Sequence, residues 1–147
     1  MILISHRGNI SGPDPANENK PEYINKALEL GFEAEIDVWF KDGWFLGHDE
    51  PEYKIDQEFL LNELLWCHAK NLSAFENLLD IGAICFWHQE DDYTLTTNNF
   101  IWTYPGQPLS AMSICVMPER FAKGSQDLSF CAGICSDKIE EFREFKK

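Results

Sequence analysis

Residues 2–8 read Ile-Leu-Ile-Ser-His-Arg-Gly, residues 21–31 read Pro-Glu-Tyr-Ile-Asn-Lys-Ala-Leu-Glu-Leu-Gly, and residues 32–40 read Phe-Glu-Ala-Glu-Ile-Asp-Val-Trp-Phe. The first is a short, β-branched apolar run ended by His6-Arg7-Gly8, the pattern of a buried strand entering a loop. The second places apolar residues at Tyr23, Ile24, Ala27 and Leu28, with Pro21 in the first turn and Gly31 as a stop, and this predicts an amphipathic helix. The third is a second strand. Strand, helix and strand in forty residues make a parallel β-α-β unit. Gly12, Pro13 and Pro15 mark residues 9–19 as the loop that joins the first strand to the helix.

Working outward, Lys41-Asp42-Gly43 is a hairpin turn, and residues 44–47 return as a short strand that delivers His48. A helix is expected over residues 56–61 with Asp56 as N-cap. A strand follows over 64–69, then a helix over 73–81 capped by Ser73 with Glu76 three residues on, stopped by Gly82. A fourth strand is expected over 83–87. Beyond it the rhythm changes to short strands at 93–97, 100–104, 113–117 and 130–134, joined by Asn-, Gly- and Pro-rich linkers, and a charged helix over 137–145. Alternating strands and helices with about eight strands predict a reduced (β/α)8 TIM-type barrel. Such barrels usually need about 200 residues or more, so a chain of 147 is expected to have several second-half helices shortened or replaced by loops. Residues 1–147 are read as a single domain.

The net charge of −13 argues against electrostatic binding to nucleic acid or to an anionic membrane surface. Any anionic ligand would need a bound cation or a local Arg/Lys pair to reverse the potential. No run approaches the length of a membrane span. Residues 1–5 lack the basic and apolar regions of a signal peptide, so a cytoplasmic chain is expected. Cys67, Cys85, Cys115, Cys131 and Cys135 are odd in number and mostly lie in apolar runs, the pattern of buried free thiols. Cys131 and Cys135 lack the second paired motif of a zinc site.

The polar residues gather at the ends of the expected strands: His6 and Arg7 after the first, Glu35 and Asp37 in the second, His48 after the turn, His68 and Lys70 on the third. In a barrel, active sites assemble at the C-terminal strand ends. Side chains alternate across a strand, so Glu35 and Asp37 share one face while Ala34, Ile36 and Val38 take the other. Two inward carboxylates in low dielectric repel unless a cation or a proton sits between them. Hard oxygen ligands of this kind suit Mg2+ or Ca2+. By the same parity His68 and Lys70 share a face, with His68 as a third metal ligand and Lys70 directed to a phosphate oxygen.

Ser5-His6-Arg7-Gly8, Asn17-Glu18-Asn19, Glu35-Ile36-Asp37-Val38, Lys41-Asp42-Gly43 and Gly47-His48-Asp49 follow one another in an order and spacing that resemble the glycerophosphodiester phosphodiesterases, of the phospholipase-C-like phosphodiesterase superfamily. The resemblance covers about the first third of the chain. It implies a TIM barrel, a divalent metal and hydrolysis of glycerol head-group phosphodiesters, hence a place in lipid metabolism. It implies that His6 and His48 are the general acid/base pair, that Glu35 and Asp37 are metal ligands, and that Arg7 holds the phosphate. Glu18 would orient Arg7 or approach the metal. Where the family has a further Glu on the third strand, this chain has His68, which adds no negative charge and tilts the preference toward a borderline metal. The resemblance fades after about Lys70. Gln89, Trp102 and Tyr104, at later strand ends, are candidate substrate contacts. A small phosphodiester is the expected substrate. A lysolipid or polymeric glycerophosphate substrate remains open, as does a non-catalytic barrel that binds phosphorylated ligands; oligomeric state is not legible.

Overall fold

The computed structural model describes residues 1–122 and 124–145. Its ten strands are β1 Ile2–His6, β2 Glu33–Phe40, β3 Trp44–Leu46, β4 Tyr53–Ile55, β5 Leu65–Ala69, β6 Cys85–Phe86, β7 Tyr93–Leu95, β8 Ile101–Thr103, β9 Ser113–Val116 and β10 Gly133–Ser136. The helices are α1 Pro21–Glu29, α2 Gln57–Leu60 and α3 Leu72–Asp80. Short 3-10 helices cover Pro118–Arg120 and Ile139–Phe145. Among the described residues no α-helix follows Asp80, and the second half is joined by loops and 3-10 turns.

All strands belong to one sheet built around β2. β2 runs parallel to β1, with His6 opposite Glu35, and parallel to β5, with Asp37 opposite His68. β5 leads to β6, and on the other side β1 leads through β10 and β9 to β8, all parallel. β7 is antiparallel to β8, and the Asp42-Gly43 turn folds β3 antiparallel onto the end of β2. The architecture is therefore mixed α/β. Among the described residues no strand pairing joins β6 to β8, so the hydrogen-bonded ladder is not closed.

The sheet is nevertheless curled. Ile4, Trp66, Phe86, Trp102, Ile114 and Cys135 come from β1, β5, β6, β8, β9 and β10 and share one buried cluster. Phe86 and Trp102 stack with ring centroids 4.5 Å apart, although their strands lie toward opposite ends of the ladder. Thr97 spans the open seam: its N–H donates to the Cys85 carbonyl and its hydroxyl accepts from the Cys85 N–H, both at 2.9 Å. The opposite face of β2 and β5 carries Ala34, Ile36, Val38, Leu65 and Cys67, which pack with Ile24 of α1 and Ala74 and Leu78 of α3. A strand buried on both faces has no outlet to water for its polar side chains, so Glu35 and Asp37 must be satisfied inside.

The structure moves several expected boundaries. The cap of α3 is Asn71, not Ser73: its side-chain oxygen accepts from the Ala74 N–H at 3.0 Å. The same side chain bonds the Phe40 carbonyl through its amide nitrogen and the Phe40 N–H through its amide oxygen, at 2.9 and 3.2 Å. The last strand is Gly133–Ser136 rather than 130–134. Gly133 lies against the backbone of β1, where an added Cβ would be 2.8 Å from the Ile2 carbonyl oxygen, and Phe130 is exposed. β4 escaped the pattern because it is only three residues long, Tyr53-Lys54-Ile55, with charged Lys54 between its two apolar positions. The segment expected as a helix over 137–145 is a 3-10 helix from Ile139. All five cysteines are free and buried. No helix among the described residues is long and apolar enough to cross a membrane.

Candidate metal centre and its cavity

The register of β1, β2 and β5 sets His6, Glu35, Asp37 and His68 side by side. Glu35 and Asp37 are 2% and 0% exposed. Ligand atoms of Glu35, Asp37 and His68 all lie within 4.8 Å of one another, so this group could hold a metal ion. Asp37 divides its work. Oδ2 accepts a hydrogen bond from Asn19 Nδ2 at 2.9 Å and touches Arg7 Nε at 2.9 Å. Oδ1 lies 3.2 Å from His68 Nδ1 and 3.5 Å from Lys70 Nζ, but has no hydrogen-bond partner among the described residues. Glu35 Oε2 is likewise buried without one, with His6 Nε2 3.8 Å away. Glu35 Oε1 lies 3.7 Å from His68 Nδ1.

Two orphaned carboxylate oxygens beside an imidazole nitrogen are what a divalent cation would satisfy, so the residues present fit such an ion. His68 is oriented for it. Its Nε2 is 2.9 Å from the His88 carbonyl, which can only accept, so Nε2 carries a proton and Nδ1 faces the carboxylates. Its ring also stacks on Phe86.

The electrostatics split the two carboxylates. Burial, reinforced by the Asp37 charge, raises the Glu35 pKa despite His6, His68 and Arg7. For Asp37 burial also opposes ionisation, but His68, Arg7 and Lys70 outweigh it and hold its pKa well below the usual carboxylate range. Burial disfavours a charged His68, yet the facing Asp37 and Glu35 raise its pKa on balance. Burial acts against Arg7 too, and Asp37 and Glu35 again reverse the sign.

His6 and Arg7 leave β1 through a tight loop. Arg7 and Asn19 both adopt left-handed backbone, with φ of 54° and 63°, and the Asn19 N–H donates to the Arg7 carbonyl at 3.0 Å. The Arg7 guanidinium is gripped by Glu18 at 3.2 Å as well as by Asp37. His6 Nδ1 is 2.7 Å from Asp137 Oδ1. Asn9 binds Asp137 and Glu18 together, at 2.7 and 2.8 Å, and so links the His6 and Arg7 supports. Burial opposes the Asp137 charge, but His6 and Asn9 bring its pKa below the ordinary value.

A cavity of about 380 Å3 opens over this group, within the usual range for small-ligand sites. His6, Arg7, Glu35 and His68 form its floor, and His48 and Lys70 join them. Gln89, Trp102 and Tyr104 line its wall. Asp37 lies beneath the surface, and Glu18 is set back behind Arg7. His48 is looser than His6: its side chain is 45% exposed and pairs with Asp49, itself at the surface, at 2.8 Å. Arg120 also reaches the cavity, so three cationic side chains offset the acidity of the chain there. A second cavity of about 430 Å3 lies at the other end of the strands, where Met1, Leu3, Phe32 and Leu64 line it with Glu33.

Sequence reading missed Asp137, Asn9, His88 and Arg120. Asp137 follows β10 just as Arg7 follows β1, but an expected strand end at 134, two residues short of Ser136, hid it.

No family model matches the chain, and neither a curated protein nor a solved structure matches it.

Proposed function

We propose that the cavity is the active site of a metal-dependent phosphodiester hydrolase acting on glycerophosphodiester-type substrates. The observation that carries this reading is the pair of buried, unpartnered oxygens, Glu35 Oε2 and Asp37 Oδ1, beside His68 and below a cavity lined by Arg7 and Lys70. The motifs of the first 49 residues support it, and on this reading the curled sheet is a (β/α)8-type barrel stripped of its later helices.

Glu35, Asp37 and His68 would hold a divalent cation, which when bound would supply Lewis-acid stabilisation of phosphoryl charge. The chain does the rest. Arg7, fixed by Glu18 and Asp37, presents its remaining N–H groups to nonbridging phosphate oxygens, and Lys70 adds a second cation. His6 donates Nδ1–H to Asp137, which leaves Nε2 as the general base toward the attacking hydroxyl, either water or the free 2-hydroxyl of the substrate glycerol. His48, at the solvent side, gives its proton to the departing alcohol oxygen as the P–O bond breaks. Trp102 and Tyr104 pack the alcohol, and Gln89 offers a hydrogen bond.

A second reading is a non-catalytic binder of phosphorylated ligands, favoured by the exposure of His48. One substrate panel separates the readings. Glycerophosphocholine, lysophosphatidylcholine and a glycerophosphate oligomer are incubated with protein and a divalent ion, and released alcohol is measured. Release from any of them supports hydrolysis, and the preferred member sets the substrate class. Saturable binding without release supports the binder.

A further inference from the structure

Carboxylates alone would make this a site for Mg2+ or Ca2+, but the arrangement argues otherwise. Ca2+ takes six to eight oxygen ligands, and Mg2+ is likewise an ion of oxygen ligands that binds through carboxylates and water. Here Asp37 Oδ2 is engaged by Asn19 and touched by Arg7, so Asp37 has one free oxygen. Glu35 supplies at most two more, and the third ligand is a nitrogen.

That nitrogen is set in place rather than merely nearby. The His68 ring is held on Phe86 with centroids 5.1 Å apart and nearly parallel planes. Its Nε2–H is tied to the His88 carbonyl at 2.9 Å. The carbonyl is itself held in a pinned loop: His88 Nδ1 is 2.8 Å from Asp91 Oδ2, and the Thr94 hydroxyl donates to the Trp87 carbonyl at 3.0 Å. A metal-binding imidazole is normally oriented through its other nitrogen in this way.

We propose that the Glu35–Asp37–His68 centre is selective for a borderline divalent transition ion, of the Fe2+ to Zn2+ class, over Mg2+ and Ca2+, with His68 as the discriminating ligand and the His88–Asp91 loop as its support. The inference rests on the metal-dependent reading above and specifies the cofactor class. Imidazole favours such ions, whereas carboxylate and water favour the hard ones. The five cysteines are buried, so thiols do not compete for the ion in the folded protein.

The test uses the whole chain stripped with a chelator, then titrated calorimetrically with Co2+, Zn2+, Mg2+ and Ca2+. The wild type binds Co2+ and Zn2+ more tightly than Mg2+. Because any site follows that order to some degree, the decisive quantity is the change in the Co2+/Mg2+ affinity ratio. His68→Glu lowers the ratio by about tenfold or more, and Asp91→Ala weakens Co2+ binding by about tenfold through the freed loop. In the wild type loaded with Co2+, proton NMR shows one paramagnetically shifted, exchangeable imidazole N–H, a readout that needs no variant to fold. Equal or tighter Mg2+ binding, a ratio unchanged in His68→Glu, or absence of the shifted N–H overturns the proposal and leaves a hard-metal hydrolase standing. Binding of none of the four ions overturns the metal-dependent reading as well.

Discussion

Glu35→Gln separates what the buried carboxylate does for stability from what it does for ligand binding. Glu35 is buried, Oε2 has no hydrogen-bond partner among the described residues, and its pKa is raised by burial and by Asp37. An acid whose folded pKa is raised weakens the fold as pH climbs from its ordinary value of 4.5 through the folded value. The metal-free wild type therefore loses stability over that window, and the Gln variant does not. Gln also places a donor amide next to Asp37 Oδ1. Relief of a buried unsatisfied group is worth about 1–3 kcal/mol, or about 3–9 °C in Tm for a domain of this size. With cation present at about one hundred times its Kd, the wild type instead gains about 2.7 kcal/mol, about 8 °C, and a variant lacking the ligand gains little. Thermal melts at pH 7, with chelator and with Co2+, then give opposite orders: the variant melts higher when stripped, the wild type rises far more on loading. A variant that melts below the stripped wild type, or that gains as much from Co2+, would refute the assignment of Glu35 as a strained ligand.

Four further outcomes follow from particular contacts. His6→Ala lowers turnover by about 10²–10⁴-fold in steady-state assays with the fold retained by circular dichroism. Asp137→Ala removes the charge-assisted hydrogen bond that orients His6, worth about 1.5–3 kcal/mol, together with the bond from Asn9, and lowers kcat by about 10–100-fold with KM little changed; equal loss in KM would count against a positioning role. Asn71→Ala deletes the α3 cap and two bonds to β2, and costs about 1–2 kcal/mol in denaturant unfolding. Because Asp37 has a depressed folded pKa, its stabilisation is complete above its ordinary value of 3.8 and is lost as pH falls below it; Asp37→Asn accordingly flattens the acid limb of stability against pH.

The first half of the fold was legible because its signals are local. Apolar periodicity, Pro21, Gly31 and the Asp42-Gly43 turn each fix an element without reference to distant residues. That Glu35 and Asp37 share one face followed from parity alone. The seam and the last strand were not legible, since they depend on contacts far apart in sequence: Gly133 is placed by its close approach to β1, and Phe86 meets Trp102 only once the sheet curls. The same limit explains the site. His68 was found through its strand position, but its orientation comes from a backbone carbonyl twenty residues on, and no sequence pattern records which carbonyl that is. Asp137 completes the His6 pair from 131 residues away, a distance no local motif spans.

The central claim is that Glu35, Asp37 and His68 support cleavage of a phosphodiester in this cavity. Phosphorus-31 NMR of glycerophosphocholine incubated with chelator-stripped protein, before and after addition of a divalent ion, tests it directly. The diester resonance is expected to stay unchanged before addition, a phosphomonoester or cyclic phosphate resonance to appear after it, and no such resonance to appear with Asp37→Asn. An unchanged diester resonance with every ion that binds, or equal conversion by Asp37→Asn, would contradict it.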